Sequence, residues 1–408
     1  MSCGGKGGRR SLGLAGKILI AIVAGVGLGF LCMRCGAAGD VAMRALKTFN
    51  VLFGQILRFI VPVLILGLVT PAIADAGKGA GKLLVSVMVF SYVSTCIAAL
   101  FGYFSAGALL PHYVAEGAFA SAGNGKVFLP FIDLKIPPLC DVLTALALAF
   151  MVGIGIVFTG ASSLKRGVDD FAAIVKLSIE RAIIPGLPVY ILTMIAELTA
   201  SGKIGAMAGT MLKVIGTGWG LTIVFLVLLY SIAGAVAGRN PLKALWNMAP
   251  AYLTALSIAS SAAVIPVTLE CCERNRISKD IRNFVVPLCA NVHMVGSAIK
   301  LMASSLAVSI IYGIDLGFPQ VLHFTFMFAI AAVAAPGVMS GVLMASLGFV
   351  ESIFGFNPDQ IAVMMTFYMA LDGYGPAANV TGDGAIALVA DRFFGSNRGA
   401  GPEPQKVL

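Results

Sequence analysis

Residues 371–383 read LDGYGPAANVTGD and lie in an apolar segment of about 361–394. Asp372, Asn379 and Asp383 are spaced 7 and 4 apart. At about 100° per residue they fall within roughly 40° of one another on one helix face. Two carboxylates and an amide thus form a polar stripe on a helix otherwise rich in Ala, Val, Met, Leu and Gly. Gly373, Gly375 and Pro376 interrupt helical regularity beside Asp372, and Gly382 and Gly384 flank Asp383. A carboxylate at membrane depth is costly, so it faces a cavity, an ion or a bound cation. This reading requires a chain that lives in a membrane.

Composition meets that condition. Hydrophobic residues make up 59% and charged residues 12%, against roughly 45–50% and 25% in soluble domains. The mean hydropathy is +0.95, and 48 glycines suit membrane helices. At ~20–25 residues per span plus loops, a chain of this length holds about eight to ten membrane segments and no sizeable soluble domain. The net charge of +9 is spread over loops between apolar runs, so topology explains it better than nucleic acid does. No nucleophile–histidine–acid set, P-loop or metal cluster is present, which argues against an enzyme. Asp372 and Asp383 stand about 16 Å apart along one helix, too far for an acid–base pair. The eight cysteines are scattered, and the single CxxC at Cys32 and Cys35 has no second pair. Zinc is therefore not expected, and most cysteines read as small apolar packers.

The first apolar run, Leu14–Met33, follows Lys6, Arg9 and Arg10. It is too long for a signal peptide and lacks a small-residue cleavage site, so it reads as a retained span. Further runs fall at about 49–74, 83–110, 139–161, 178–200, 207–238, 247–272, 281–311, 321–350 and 359–394. With a cytoplasmic N-terminus, basic residues concentrate in the inside loops only if 247–272 and 321–350 each enter and leave on the same side. Full crossings would put Arg274, Arg276, Lys279 and Arg282 outside, against the positive-inside rule. Both runs carry a Ser/Gly/Pro tip between short apolar arms, at 257–266 and 334–341. Paired interrupted segments of this kind point to a transporter's substrate site. The mildly polar stretch Pro111–Pro138 reads as an outside loop, and the tail from Gly395 as disordered. Glu180 and Arg181 read as a helix start at the cytoplasmic face. His112, His323 and Glu197 read as interfacial residues, and Met364, Met365 and Met369 as core.

These residues resemble a known family. SSAAVIPVTLE (260–270), PLCANVHMVGSA (287–298), the pair Pro336-Gly337 and NVTGD (379–383) occur in the order seen in the dicarboxylate/amino acid:cation symporters, which share the glutamate-transporter fold. The resemblance covers about Leu14–Phe394 and is sharp from about Leu253, while Arg58 in FGQILRFIVPVLILGLV fits the family's second span. It implies an all-α polytopic membrane protein with eight transmembrane helices, two re-entrant helical hairpins (about 247–272 and 321–350) and a homotrimer. A scaffold (about 14–75 and 139–200) would hold a transport domain (about 83–110 and 207–395) that moves like an elevator. Residues 1–13 and 396–408 would be cytoplasmic tails, and the chain an inner-membrane protein with both termini inside.

Residue by residue, the resemblance implies that Asp372 holds a substrate amino group. Asn379 would contact substrate and sodium, and Asp383 would coordinate sodium. Ser260 and Ser261 would meet the substrate carboxylate, and Pro336 and Gly337 would form the outer gate. The departures alter this picture. Gly375 stands where acidic-substrate members carry an arginine, and Pro376 replaces a hydroxyl residue beside it. Without that clamp an acidic side chain would be buried unpaired, so neutral substrates of the serine/threonine/alanine kind are expected. The motif usually read as Asn-Met-Asp-Gly-Thr is here His293-Met294-Val295-Gly296-Ser297. Val295 removes a cation-site carboxylate, although Tyr92 and Thr95 fit that site's partner positions and Cys96 replaces a hydroxyl. Asn379, Asp383, Cys289 and His293 remain as sodium candidates.

His293 and Lys300 are coupling candidates, the first as a proton shuttle and the second as a fixed cation replacing a sodium. The expected function is secondary active transport of a small amino acid coupled to sodium and/or protons, with no other cofactor. A dicarboxylate or acidic amino acid symporter with altered coupling, an ion channel and a transport-inactive sensor are the alternatives.

Overall fold

The computed structural model describes residues 14–76, 82–116, 128–132, 134, 136–140, 142–202, 204–334 and 341–395. All regular structure among them is helical. The helices are α1 Leu14–Arg34, α2 Gly36–Ala76, α3 Lys82–Leu109, α4 Val142–Thr159, α5 Ser162–Ser178, α6 Ile184–Ala200, α7 Ile204–Ala237 and α8 Pro241–Trp246. They continue with α9 Ala249–Ile258, α10 Ile265–Arg274, α11 Lys279–Val292, α12 Val295–Tyr312, α13 Phe318–Ala334, α14 Gly341–Phe354, α15 Pro358–Met369 and α16 Tyr374–Phe394. Among the described residues, six helical stretches are long and apolar enough to cross a membrane. Exposed apolar rows such as Val89, Val93, Ile97 and Phe104 on α3, or Val224, Leu228 and Ile232 on α7, give them a lipid-compatible outer face.

Packing divides the helices into two groups. Helix α1 lies along α6, and α2 packs on α4, α5 and α6. In the second group α3, α7, α15 and α16 surround α12, and α9, α10 and α11 pack on α16. The groups meet where α13 and α14 lie on α2 and where α15 touches α6. Helix α12 is the centre of the second group, because every residue from Val295 to Ser309 is buried.

Several expectations need correction. The run 49–74 is only part of α2, whose 41 residues extend about 60 Å, twice the hydrocarbon thickness. Pro62 and Pro71 lie inside it without ending it. Glu180 and Arg181 do not start a helix. They lie in a π turn, Ile179–Ile183, that joins α5 to α6. Val175, Ile179, Ile183 and Leu187 are buried at a spacing of four and carry the helix past the charged pair.

The runs 281–311 and 359–394 are each two helices rather than one. The first breaks at His293, whose backbone is extended (φ −105°, ψ 103°). The second breaks between Met369 and Tyr374, so Asp372 sits in the break and only Asn379 and Asp383 share a face of α16. Gly373 has a steric reason to be glycine: a Cβ there would lie 2.0 Å from Leu256 O on α9. The run 247–272 becomes α9 and α10, joined through Ala259 at φ 55° and a short 3-10 turn, Ala262–Val264. Helices α13 and α14 pack on each other, and their connection, with Pro336 and Gly337, lies outside the described residues. So do the expected tails 1–13 and 396–408.

Candidate functional site

The two broken helices cross closely. A Cβ on Gly296 would lie 2.4 Å from Gly375 O and 2.5 Å from Ala378 Cβ, so only glycine lets α12 and α16 approach this far. The approach brings Asn379 onto the start of α12. Its Oδ1 accepts from Gly296 N (2.8 Å) and Ser297 N (3.3 Å). Its Nδ2 donates to Ser297 Oγ (3.0 Å) and Met294 Sδ (3.2 Å). Asn379 therefore satisfies backbone donors that the break at His293 leaves without helical partners. Thr95 on α3 does the same for Met294 N, whose hydrogen bond to Thr95 Oγ1 spans 3.2 Å.

Two buried acid–base pairs flank this crossing. In the first, Lys300 Nζ donates to Asp372 Oδ1 (2.7 Å) and to the Asp372 carbonyl (3.2 Å). The same ammonium stands 3.9 Å from the ring centroid of Tyr368 and 4.9 Å from that of Tyr374. Lys300 is 0% exposed and Asp372 2%. Carboxylate, carbonyl and two aromatic faces form a cage for an ammonium group. Burial of both partners makes the pairing obligatory, because either charge alone in this setting would be strongly unfavourable.

In the second pair, His293 Nδ1 lies 3.0 Å from Asp383 Oδ1 and His293 Nε2 3.1 Å from Ser94 Oγ. All three residues are buried. Gly382 makes room for the imidazole, since a Cβ there would lie 2.8 Å from His293 Cε1. Asp383 Oδ2 is buried without a hydrogen-bond partner. An orphaned carboxylate oxygen is uncommon and marks a place where a proton or cation can bind. Among the neighbouring side chains, His293 and Ser94 are engaged with each other, and Val295 beside Gly382 carries no ligand atom. No group of three or more His, Cys, Asp or Glu residues able to hold a metal occurs among the described residues.

The remaining candidates are distributed around this centre. Tyr92 turns away from it, donating to Phe326 O at 3.3 Å on α13. Cys289 Sγ lies 3.6 Å from Ser91 Oγ. Ser260 and Ser261 occupy the turn between α9 and α10, where Ser260 Oγ accepts from Ala263 N at 3.4 Å. Pro376 lies in the first turn of α16, where its missing N–H costs no helical bond. Glu197 accepts an ion pair from Lys47 at 3.0 Å. Residues not foreseen from the sequence complete the site. Tyr368 and Tyr374 flank Asp372 at −4 and +2, Ser94 precedes Thr95, and Tyr230 holds Thr381 O at 2.8 Å. Aromatic residues bracketing a membrane carboxylate were the available signal for the cage.

The serine/threonine transporter SstT of Streptococcus thermophilus, in strains LMG 18311 and CNRZ 1066, is 27% identical over 368 residues, covering 84% of this chain and 86% of the relative. Residues 14–393, almost the whole chain, match the sodium:dicarboxylate symporter family. The chain therefore belongs to the sodium:dicarboxylate symporter family and is a multi-pass membrane transporter rather than an enzyme.

Proposed function

We propose that this protein carries a small neutral amino acid of the serine/threonine/alanine kind across the inner membrane, coupled to sodium and/or protons. The observation that carries the reading is the pair of helix breaks at His293–Met294 and Ala370–Gly373. They bring Asp372, Asn379, Asp383, His293 and Lys300 into one buried centre. Discontinuous helices with buried ionisable residues are how secondary transporters build substrate and ion sites. The substrate class is supported by the name of the streptococcal relatives and by Gly375, which offers no charge to an acidic side chain. Family membership supports sodium as a coupling ion, and the orphaned Asp383 Oδ2 beside His293 supports a proton at that corner.

The movement is of the elevator kind in a homotrimer. Helices α1, α2 and α4–α6 are the scaffold, and α3 with α7–α16 the moving body. Their separate packing supports this division. Helices α9 and α10 are ten residues each, about 15 Å, half the hydrocarbon thickness. Their length supports a re-entrant hairpin, with α13 and α14 as its counterpart. Eight transmembrane helices and two cytoplasmic termini follow from that topology.

Uptake of labelled serine, threonine, alanine and aspartate into proteoliposomes, with sodium and pH gradients imposed separately, tests the proposal. Saturable uptake of the neutral amino acids, well above that of aspartate, is expected. Preferential aspartate uptake would replace the substrate class. An ohmic current without saturation would mark a channel. Amino-acid-dependent thermal stabilisation without uptake would mark a sensor.

A further inference from the structure

The ammonium cage at Asp372 is filled by the chain's own lysine. Lys300 reaches it from α12, and its ammonium takes the Asp372 carboxylate, the Asp372 carbonyl and the faces of Tyr368 and Tyr374. Its stem runs past Gly375. A Cβ on residue 375 would lie 3.4 Å from Lys300 Cδ and 3.5 Å from Ser297 Oγ. A methyl group fits there in ordinary contact, and a longer side chain meets the lysine. Gly375 and Lys300 are thus complementary: the missing side chain on α16 is the room that the lysine occupies.

A substrate ammonium directed to Asp372 meets an ammonium already in place. We propose that a zwitterionic amino acid binds by inserting into the Lys300–Asp372 ion pair. The substrate ammonium takes over Asp372, and Lys300 turns its ammonium to the substrate carboxylate. This rests on the amino-acid reading above and adds the residue that holds the carboxylate.

The charge arithmetic selects the ligand. Before insertion the site holds one pair, and after it two pairs in alternating order, with net charge unchanged and no charge stranded. An amine without a carboxylate displaces Lys300 and leaves it unpaired. An acid without an amine engages Lys300 and strands Asp372. Either outcome leaves a buried uncompensated charge, which a dry site rejects strongly. A lysine suits this exchange because a compact ammonium with three donors on a flexible four-carbon stem can change partners. Exchange of ammonium for ammonium at Asp372 preserves its charge-assisted bonds.

The test uses the full chain in proteoliposomes, with serine as the transported probe and two truncated analogues as competitors: ethanolamine, which lacks the carboxylate, and 3-hydroxypropanoate, which lacks the amine. The wild type is expected to take up serine and to be inhibited weakly by both analogues. Lys300→Met is expected to raise the KM for serine about tenfold or more. In that variant ethanolamine should compete about as well as serine, because the positive charge that favours a carboxylate is gone. Lys300→Arg, which keeps a cation, is expected to recover much of the discrimination. Unchanged preference for serine over ethanolamine in Lys300→Met would overturn insertion while leaving amino-acid transport intact.

Should Lys300→Met not fold, the double variant Lys300→Met/Asp372→Asn strands no charge and serves in its place. It is expected to lose serine-dependent thermal stabilisation, and a wild-type-sized stabilisation would overturn the proposal. A wild type that is neither stabilised by any amino acid nor able to transport one would remove the amino-acid reading, and insertion with it.

Discussion

The two buried acid–base pairs stand on the same two broken helices and differ in what each leaves unsatisfied. At Asp372 the partner is a lysine held also by a carbonyl and two aromatic rings. At Asp383 the partner is an imidazole shared with Ser94, and one carboxylate oxygen has no partner at all. The first pair is a matched salt link in a cage sized for an organic ammonium. The second is an incomplete network with one buried carboxylate oxygen left over. A low-dielectric interior penalises the two differently: a broken lysine–carboxylate pair strands a charge, whereas a histidine–carboxylate pair can shift a proton instead. The contrast supports the proposal that substrate binds at one end of the centre and the coupling ion at the other.

The largest effect is expected from separating the partners of the first pair. Asp372→Asn leaves Lys300 buried without a counter-charge, a loss of about 3–5 kcal/mol. It should appear as a marked fall in the melting temperature of the purified protein. Lys300→Met/Asp372→Asn removes both charges and is expected to regain most of that stability, since uncharged replacement of a buried pair is often close to neutral. Equal melting temperatures for the wild type and Asp372→Asn would show that no ion pair operates there, and the contrast with Asp383 would collapse.

A smaller effect is expected at the second pair. His293→Gln keeps a side-chain N–H within reach of Asp383, so the cost is about 1 kcal/mol. What changes is the side chain able to carry a proton. Uptake by the wild type is expected to rise when an inward proton gradient is imposed. Uptake by His293→Gln should not respond to that gradient. Equal responses would remove His293 from coupling, and a wild type that ignores the gradient and depends strictly on sodium would remove the proton altogether.

Much of this arrangement was legible from residue order alone. The polar positions Asp372, Asn379 and Asp383 stood out because polar groups in an apolar chain are costly and few, whereas Gly375 and the run His293–Ser297 stood out only against the family's pattern. The interruption beside Asp372 was signalled by Gly373, Gly375 and Pro376, whereas the break at His293 was not legible. At the break beside Asp372, Leu256 O approaches Gly373 so closely that no side chain fits there, and Leu256 is remote in sequence. The partner of Lys300 was likewise open: a single continuous helix through residues 281–311 puts it in line with His293, whereas the break at His293 separates the two. Asn379 reads in isolation as a ligand donor, and its role in capping α12 follows only from the glycine-to-glycine approach at Gly296 and Gly375. Tertiary contact decided each of these, and local pattern carries no record of it.

The smallest effect concerns a further ion contact, which the first two help to interpret because one of its carboxylates is exposed where theirs are buried. Lys47 on α2 contacts Glu197 on α6 at 3.0 Å and Asp359 at the start of α15 at 3.1 Å. Glu197 belongs with Lys47 to the group proposed as scaffold, and Asp359 to the group proposed to move. The Asp359 side chain is 60% exposed, so its link is worth about 0–1 kcal/mol and is screened by salt. Its place matters more than its strength, since sliding of one group past the other has to break it. Asp359→Asn is expected to leave the melting temperature nearly unchanged. It should raise the uptake rate at low ionic strength by no more than about fivefold, the factor corresponding to ~1 kcal/mol. At high ionic strength wild type and variant are expected to converge. A variant slower than the wild type at low salt would mean that the contact assists the movement, and equal rates at every salt concentration would place Asp359 outside the moving boundary.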